Sequence, residues 1–330
     1  MNGLDYRRAS ALVYDPVHVN LRTTRYALHE IGFREIQSLS SLDELRRRLE
    51  DETPALIMAE TTGHEAEVIR LVRGIRAGDV ARNPFVCIIL TCWVRDGAAL
   101  KRAIGSGADD IIIRPFSTAF AEERIRTLIK ARKPFVVTSD YIGPDRRTDP
   151  ERGAGSARSI LAPNTLKAIA EGEEGALDQA HAWIAEARAT VENERIRRLC
   201  MRIVVGAEVG VRELEAGRRP DIDIADFERT AQEMRLRLMR QRAAEAVHVA
   251  KALCDLCARM RGEAGMTVAN LNLLKELATG SYAAFGGGRA IESSRDEIEK
   301  TVAALQKRLA SATQPDGGVT LASALKRRAK

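Results

Sequence analysis

The sequence predicts an open, doubly wound α/β domain followed by an all-helical one. Three observations carry that expectation. Five short strand-like runs, at residues 10–14, 34–38, 55–59, 85–90 and 111–114, alternate with segments of helical spacing over the first 131 residues. All but the second are almost continuously apolar, as strands covered on both faces by helices must be. From Ala162 onward the spacing is helical and no run has the character of a strand.

Taken in order, Ser10 to Tyr14 is the first strand and ends at Asp15-Pro16. Leu21 to Ile31 has helical spacing and stops at Gly32, a natural helix end. Arg34 to Ser38 is a short second strand, and Ser41 to Leu49 a helix with Leu42, Leu45 and Leu49 on one face. Pro54 introduces the third strand, Ala55 to Ala59, which ends at Glu60. Glu65 to Arg76 is a helix that turns Val68, Ile69, Val72 and Ile75 inward. Pro84 opens the fourth strand, Phe85 to Leu90, which ends at Thr91-Cys92, and Asp96 to Ser106 is the next helix. The turn Gly107-Ala-Asp-Asp110 leads into the fifth strand, which ends at Arg114 because Pro115 removes a ladder donor. Ser117 caps a last helix through Ala131. Five such β-α units give the strand order 2-1-3-4-5 with right-handed crossovers. Asp15, Glu60, Thr91 and Arg114 then meet at the carboxyl edge of the sheet, where open α/β sheets bind their ligands.

Composition bounds the function. The chain has 330 residues, 45% hydrophobic and 30% charged, enough for two domains with cores of their own. The net charge is +6, but it is not concentrated: residues 1–147 carry 23 basic and 20 acidic side chains, the remainder 29 and 26. No helix-turn-helix, zinc-finger or RNA-binding signature accompanies it, so nucleic acid is not the expected partner. No run of about 18 apolar residues occurs, so no membrane span is expected. The first ten residues lack an apolar signal core, and five irregularly spaced cysteines make no disulfide framework. Together these point to a reducing cytoplasm.

The stretch Gly107 to Ser117, GADDIIIRPFS, with Asp15, Glu60 and Thr91 at the preceding strand ends, resembles the receiver domain of two-component response regulators. Its last strand ends in Lys-Pro-Phe; here the triplet is Arg114-Pro115-Phe116. The resemblance covers about residues 9–133 and implies a flavodoxin-like sheet. It further implies that Glu60 stands at the phosphoacceptor Asp position and Thr91 at the phosphoryl-binding Thr or Ser. Arg114 takes the place of the Lys and Ile111 that of the switch aromatic. Receivers hold a divalent cation with two acids after the first strand; here the pair is Tyr14-Asp15, so Asp15 alone remains and Mg²⁺ should bind weakly if at all. Glu60 reaches one methylene further than Asp, and a misplacement of about 1 Å can cost a hundredfold in rate. An Arg fork grips a carboxylate bidentately as Lys cannot. The expectation is therefore a phosphorylation-independent receiver with a Glu60–Arg114 ion pair, partly exposed at the strand ends.

Residues 134–160 read as a linker, rich in Pro and Gly, with YIGPDRR, Tyr141 to Arg147, as its one distinctive string. Residues 161–312 read as a helical bundle and 313–330 as a basic tail. Its expected helices are Pro163–Glu171, Glu173–Ala189, Val191–Ala216, a long one from Asp223 to Arg261, Val268–Phe285 and Ile291–Ala312, with Gly206 and Gly210 weakening the third. Cys254 and Cys257 lie on the apolar face and read as structural thiols. His248 shares a polar face with Lys251 and Asp255, and HVAKA slightly resembles the core of histidine phosphotransfer domains.

These readings describe a signalling protein and no enzyme: an atypical receiver that works through protein partners, such as a histidine kinase, and through its helical half. A homodimer is expected, since receivers often pair and homo-oligomers are most often two-fold symmetric. The alternative is a phosphorelay protein that still carries phosphate, in the receiver pocket or on His248.

Overall fold

The computed structural model describes residues 3–93, 97–146, 159–172, 175–262 and 265–286. Five parallel strands form one sheet: β1 (Ser10–Tyr14), β2 (Glu35–Leu39), β3 (Leu56–Glu60), β4 (Cys87–Cys92) and β5 (Asp110–Ile113), in the order β2-β1-β3-β4-β5. Both faces are covered, which is why β1, β3, β4 and β5 are apolar at successive positions, whereas β2, at the edge of the sheet, is mixed. On one face Ala11, Val13, Leu56, Met58 and Ile89 pack against helices α1 (His18–Ile31) and α5 (Thr118–Lys130), joined by α6 (Thr165–Glu171). On the other, Leu12, Tyr14, Ile57, Ile88 and Leu90 pack against α2 (Leu42–Asp51), α3 (Glu65–Arg76) and α4 (Gly97–Ile104).

The described parts of the stretch read as a linker, 134–146 and 159–160, are structured. β6 (Phe135–Val137) lies between β7 (Ile142–Pro144) and β8 (Ser159–Ile160) in a small antiparallel sheet. Phe135, Val137, Ile142 and Ile160 bury their side chains with Phe85 and with Ile184, Ala187 and Val191. Turn residues dominate this segment, yet that core is apolar enough to fix it. Tyr141 to Arg146 of the distinctive string dock here: the Tyr141 hydroxyl donates to the Pro144 carbonyl at 2.9 Å, and Arg146 donates to the Ala108 and Asp109 carbonyls at 2.7 and 3.1 Å; Arg147 lies outside the described residues. Gly107 and Gly143 allow the approach. Gly107 has φ +99°, and a Cβ there would stand 2.4 Å from the Ile142 carbonyl oxygen.

A buried charge cluster joins this sheet to the amino-terminal edge of the main one. Asp109 accepts from Arg76 at 2.8 Å, from Arg132 at 2.8 and 3.1 Å, and from the Ile88 N–H. Both guanidiniums lie over the Phe135 ring. Burial alone would raise the Asp109 carboxyl, but Arg132 and Arg76 outweigh it and hold it below the ordinary carboxylate range.

The chain forms two compact units. Of the described residues, the first holds those up to 137, 141–146 and 159–191, and the second 138–140 and those from 192 to 286. The unit that holds the main sheet therefore runs well past residue 133, and most of the helical unit lies after Val191. Two helix boundaries also differ from expectation. One 40-residue helix, α7 (Ala176–Glu215), replaces the two expected between Glu173 and Ala216. Gly206 and Gly210 do not interrupt it; at Gly210 a Cβ would meet Ile222 at 2.4 Å and Leu271 at 2.9 Å, so glycine permits close packing there. The long helix expected from Asp223 to Arg261 is instead α8 (Ile224–Arg240) and α9 (Ala244–Arg261), separated by a turn with Arg242 at φ 56°. With α10 (Val268–Gly286) and the second part of α7 they enclose one core, including Ile203, Phe227, Met234, Leu253 and Leu274. The helix expected at Ile291–Ala312 and the tail at 313–330 lie outside the described residues. No described helix is long and apolar enough to cross a membrane.

Candidate functional site

The carboxyl edge of the parallel sheet brings together all four residues expected there. Asp15 follows β1, Glu60 ends β3, Thr91 lies in β4 and Arg114 follows β5. Each is almost fully buried. The Arg114 guanidinium spans the pocket: Nε donates to Glu60 Oε2 at 2.8 Å, and Nη2 donates to Asp15 Oδ2 at 3.2 Å and to Thr24 Oγ1 at 2.6 Å. Phe116 packs its ring 5.0 Å from the guanidinium carbon. The expected Glu60–Arg114 pair is present, but it is buried and not partly exposed: the two side chains are 3% and 5% accessible. Thr24 of α1 and Phe116 lie against its guanidinium.

Every carboxylate oxygen in the pocket is engaged. Glu60 Oε1 accepts from the Thr62 N–H at 2.9 Å, and Oε2 also accepts from the Thr91 hydroxyl at 2.7 Å. Asp15 Oδ1 accepts from the Val17 N–H at 2.8 Å. Burial pushes the Asp15 carboxyl above its ordinary range, and the Glu60 charge adds to this, against the Val17 N–H and Arg114, which lower it. Tyr14 is buried beside the pocket. Burial raises its phenol above the ordinary value, and the carboxylates of Glu67, Asp15 and Glu60 add to this, so it is a neutral side chain.

These residues do not fit a divalent cation. A guanidinium bridges the two carboxylates that would hold one, Tyr14 brings no negative charge, and each carboxylate oxygen already accepts a hydrogen bond. Among the described residues no group of three or more His, Cys, Asp or Glu side chains could hold a metal ion. The Thr91 hydroxyl, which the receiver resemblance assigns to a phosphoryl oxygen, is spent on Glu60.

Thr24 was not legible as a pocket residue, although a signal existed. It lies on the buried stripe of α1 with Leu21, Ala27 and Leu28, the one polar member of that face. Ile111 is apart from the polar group: it is half-buried on β5 and packs against the core beneath α2, α3 and α4. His248 and Lys251 are in the helical unit, both exposed on α9. Cys257 is buried there and Cys254 half-buried; burial raises both thiols, that of Cys257 to about 12, so they stay protonated.

No family model matches the chain. Over 116 residues it is 29% identical to the phosphate regulon transcriptional regulatory protein PhoB of Rhizobium meliloti (strain 1021). That match covers 35% of this chain and 49% of PhoB, so the chain spans about half the length of this curated relative. A signal receiver domain of a two-component histidine kinase from Clostridium thermocellum matches 37% of this chain and 98% of its own, at 18% identity and a TM-score of 0.34. A response regulator from Thermotoga maritima matches 37% and 98%, at 22% identity and a TM-score of 0.33.

Proposed function

With a response-regulator receiver domain at the amino-terminal end of the chain as the premise, we propose that this receiver signals without being phosphorylated and acts by binding protein partners. One observation carries the reading: the buried Arg114 guanidinium that joins Glu60, Asp15 and Thr24. Phosphoryl transfer needs an in-line oxygen nucleophile and a cation that neutralises developing charge. Here the acceptor-position carboxylate is held by Arg114, Thr91 and the Thr62 N–H. The arginine supplies a fixed positive charge of its own. The pocket then occupies a single state, and the receiver serves as a constant binding module and not as a switch. Its partner is a signalling protein of the two-component type, the helical unit transmits or receives the signal, and the working form is a homodimer. The chain is no enzyme on this reading.

Trp93 offers a direct test, since it follows β4 and its backbone N–H donates to the Thr62 hydroxyl beside Glu60. In a Trp183→Phe background, beryllofluoride with Mg²⁺ should leave Trp93 fluorescence unchanged. A saturable change would overturn the proposal, because beryllofluoride reports a pocket still able to take a phosphoryl group.

A further inference from the structure

The first compact unit also carries an open recess, lined by residues other than those of the strand-end pocket. It is a half-open cleft of about 330 Å³ between the end of α5, the exposed face of α6 and the first two turns of α7. Small residues make the space: Ala168 on α6 faces Ala176 and Ala180 on α7. Trp183 walls it with an indole that is 40% exposed, and Leu161, 68% exposed, adds an apolar edge. Lys130, Lys133 and Lys167 bring ammonium groups to it, against the single carboxylate of Glu171. Lys167 faces that carboxylate at 3.8 Å. Lys130 and Lys133 have no ion-pair partner among the described residues. Arg132, also in the lining, has its guanidinium committed to Asp109 and the Pro163 carbonyl.

We propose that this cleft binds a nucleotide-sized anion, its planar base against Trp183 and its phosphate between Lys130 and Lys133. The chemistry of the lining selects that class. A half-exposed indole offers a flat face for stacking. Lysine ammoniums are compact, mobile charges suited to a tetrahedral phosphate that needs no planar fork. The volume is at the small end of ligand sites, which run from about 300 to 1,000 Å³, so one ring system with one phosphate fills it. An extended acidic peptide would leave the alanine-lined floor empty. The cleft shares no lining residue with the strand-end pocket.

The chain has two tryptophans, so Trp93→Phe leaves Trp183 as the only indole. The full-length Trp93→Phe protein is titrated with adenosine 5′-monophosphate, adenosine, inorganic phosphate and poly-glutamate. Saturable quenching by the monophosphate is expected, with weaker effects from adenosine or phosphate alone. Lys130→Ala with Lys133→Ala should weaken the monophosphate by about tenfold or more. Both lysines are exposed, so the fold should survive, and circular dichroism checks it. No saturable quenching by the monophosphate, quenching indifferent to the lysine pair, or tighter binding of poly-glutamate would each overturn the assignment.

Discussion

Replacing Arg114 by methionine removes the guanidinium and keeps an apolar chain of similar length. The structure sets the magnitude. The Arg114 side chain is 5% accessible, and its partners Asp15 and Glu60 are 0% and 3% accessible. The Arg114→Met substitution would leave both carboxylates buried without their countercharge, and Thr24 without its donor. Breaking a buried pair from one side costs about 3–5 kcal/mol, whereas an exposed pair is worth about 0–1 kcal/mol. With a urea slope of roughly 2 kcal/mol per molar, the midpoint should fall by about 2 M. Both tryptophans lie in the first compact unit, so intrinsic fluorescence follows its unfolding. The deficit should narrow as the pH is lowered. Burial already holds the Asp15 carboxyl above its ordinary range, and without Arg114 it takes up a proton more readily in the folded state. Arg126→Met is the control: its pair with Glu122 is exposed, and its midpoint should not move measurably. A midpoint shift for Arg114→Met no larger than that of the control would refute the argument that the pocket is a lock held by a buried ion pair.

Three further outcomes are expected. Asp109→Asn should destabilise the first unit by about 3–5 kcal/mol at neutral pH, because it strands two buried guanidiniums. The Asp109 carboxyl is depressed in the folded state, so its contribution is present above the unfolded value near 3.8 and is lost as pH falls through the folded one. The wild type's advantage over Asp109→Asn should accordingly be constant at neutral pH and shrink in acid, read by urea melts across pH 3–7; an advantage that grew in acid would contradict it. Gly107→Ala places a Cβ 2.4 Å from the Ile142 carbonyl oxygen at a left-handed φ, and should cost roughly 2–4 kcal/mol in the same melts; a neutral effect would mean that the β7 contact is absent in solution. Tyr14→Asp with Glu60→Asp and Arg114→Lys should gain Mg²⁺-dependent labelling by acetyl phosphate, whereas Glu60→Asp with Arg114→Lys should label poorly, one carboxylate short; equal labelling of the two would remove Tyr14 from the account.

The parallel sheet was legible because its strands announce themselves twice. All but the second are apolar at successive positions, and the first and last are closed by a residue with a reason to be there, Pro16 after Asp15 and Pro115 after Arg114. The pocket followed from topology, since parallel strands place their ends together. Its depth did not follow: strand ends read as rims, and only the packed structure shows Thr24 and Phe116 closing over Arg114. The β6–β8 sheet was hidden because three apolar residues, Phe135 to Val137, sit among turn formers, and their burial depends on Phe85 and Ile184, distant in sequence. The break between α8 and α9 was illegible for the opposite reason. The apolar stripe continues in register on either side, and the turn uses Arg242 at positive φ where a glycine would have marked it. In α7, Gly210 reads as a weak point along the helix, yet its value lies across the helix, where Leu271 and Ile222 approach.

The central claim is that Arg114 holds Glu60 as a fixed positive partner, so that the pocket takes up no phosphoryl group. The most direct test is intact-mass analysis of the full-length protein after incubation with acetyl phosphate and Mg²⁺. The account predicts no added phosphoryl group on the wild-type chain. A stoichiometric mass increase of one phosphoryl group, mapped to Glu60 and absent in Glu60→Gln, would contradict it.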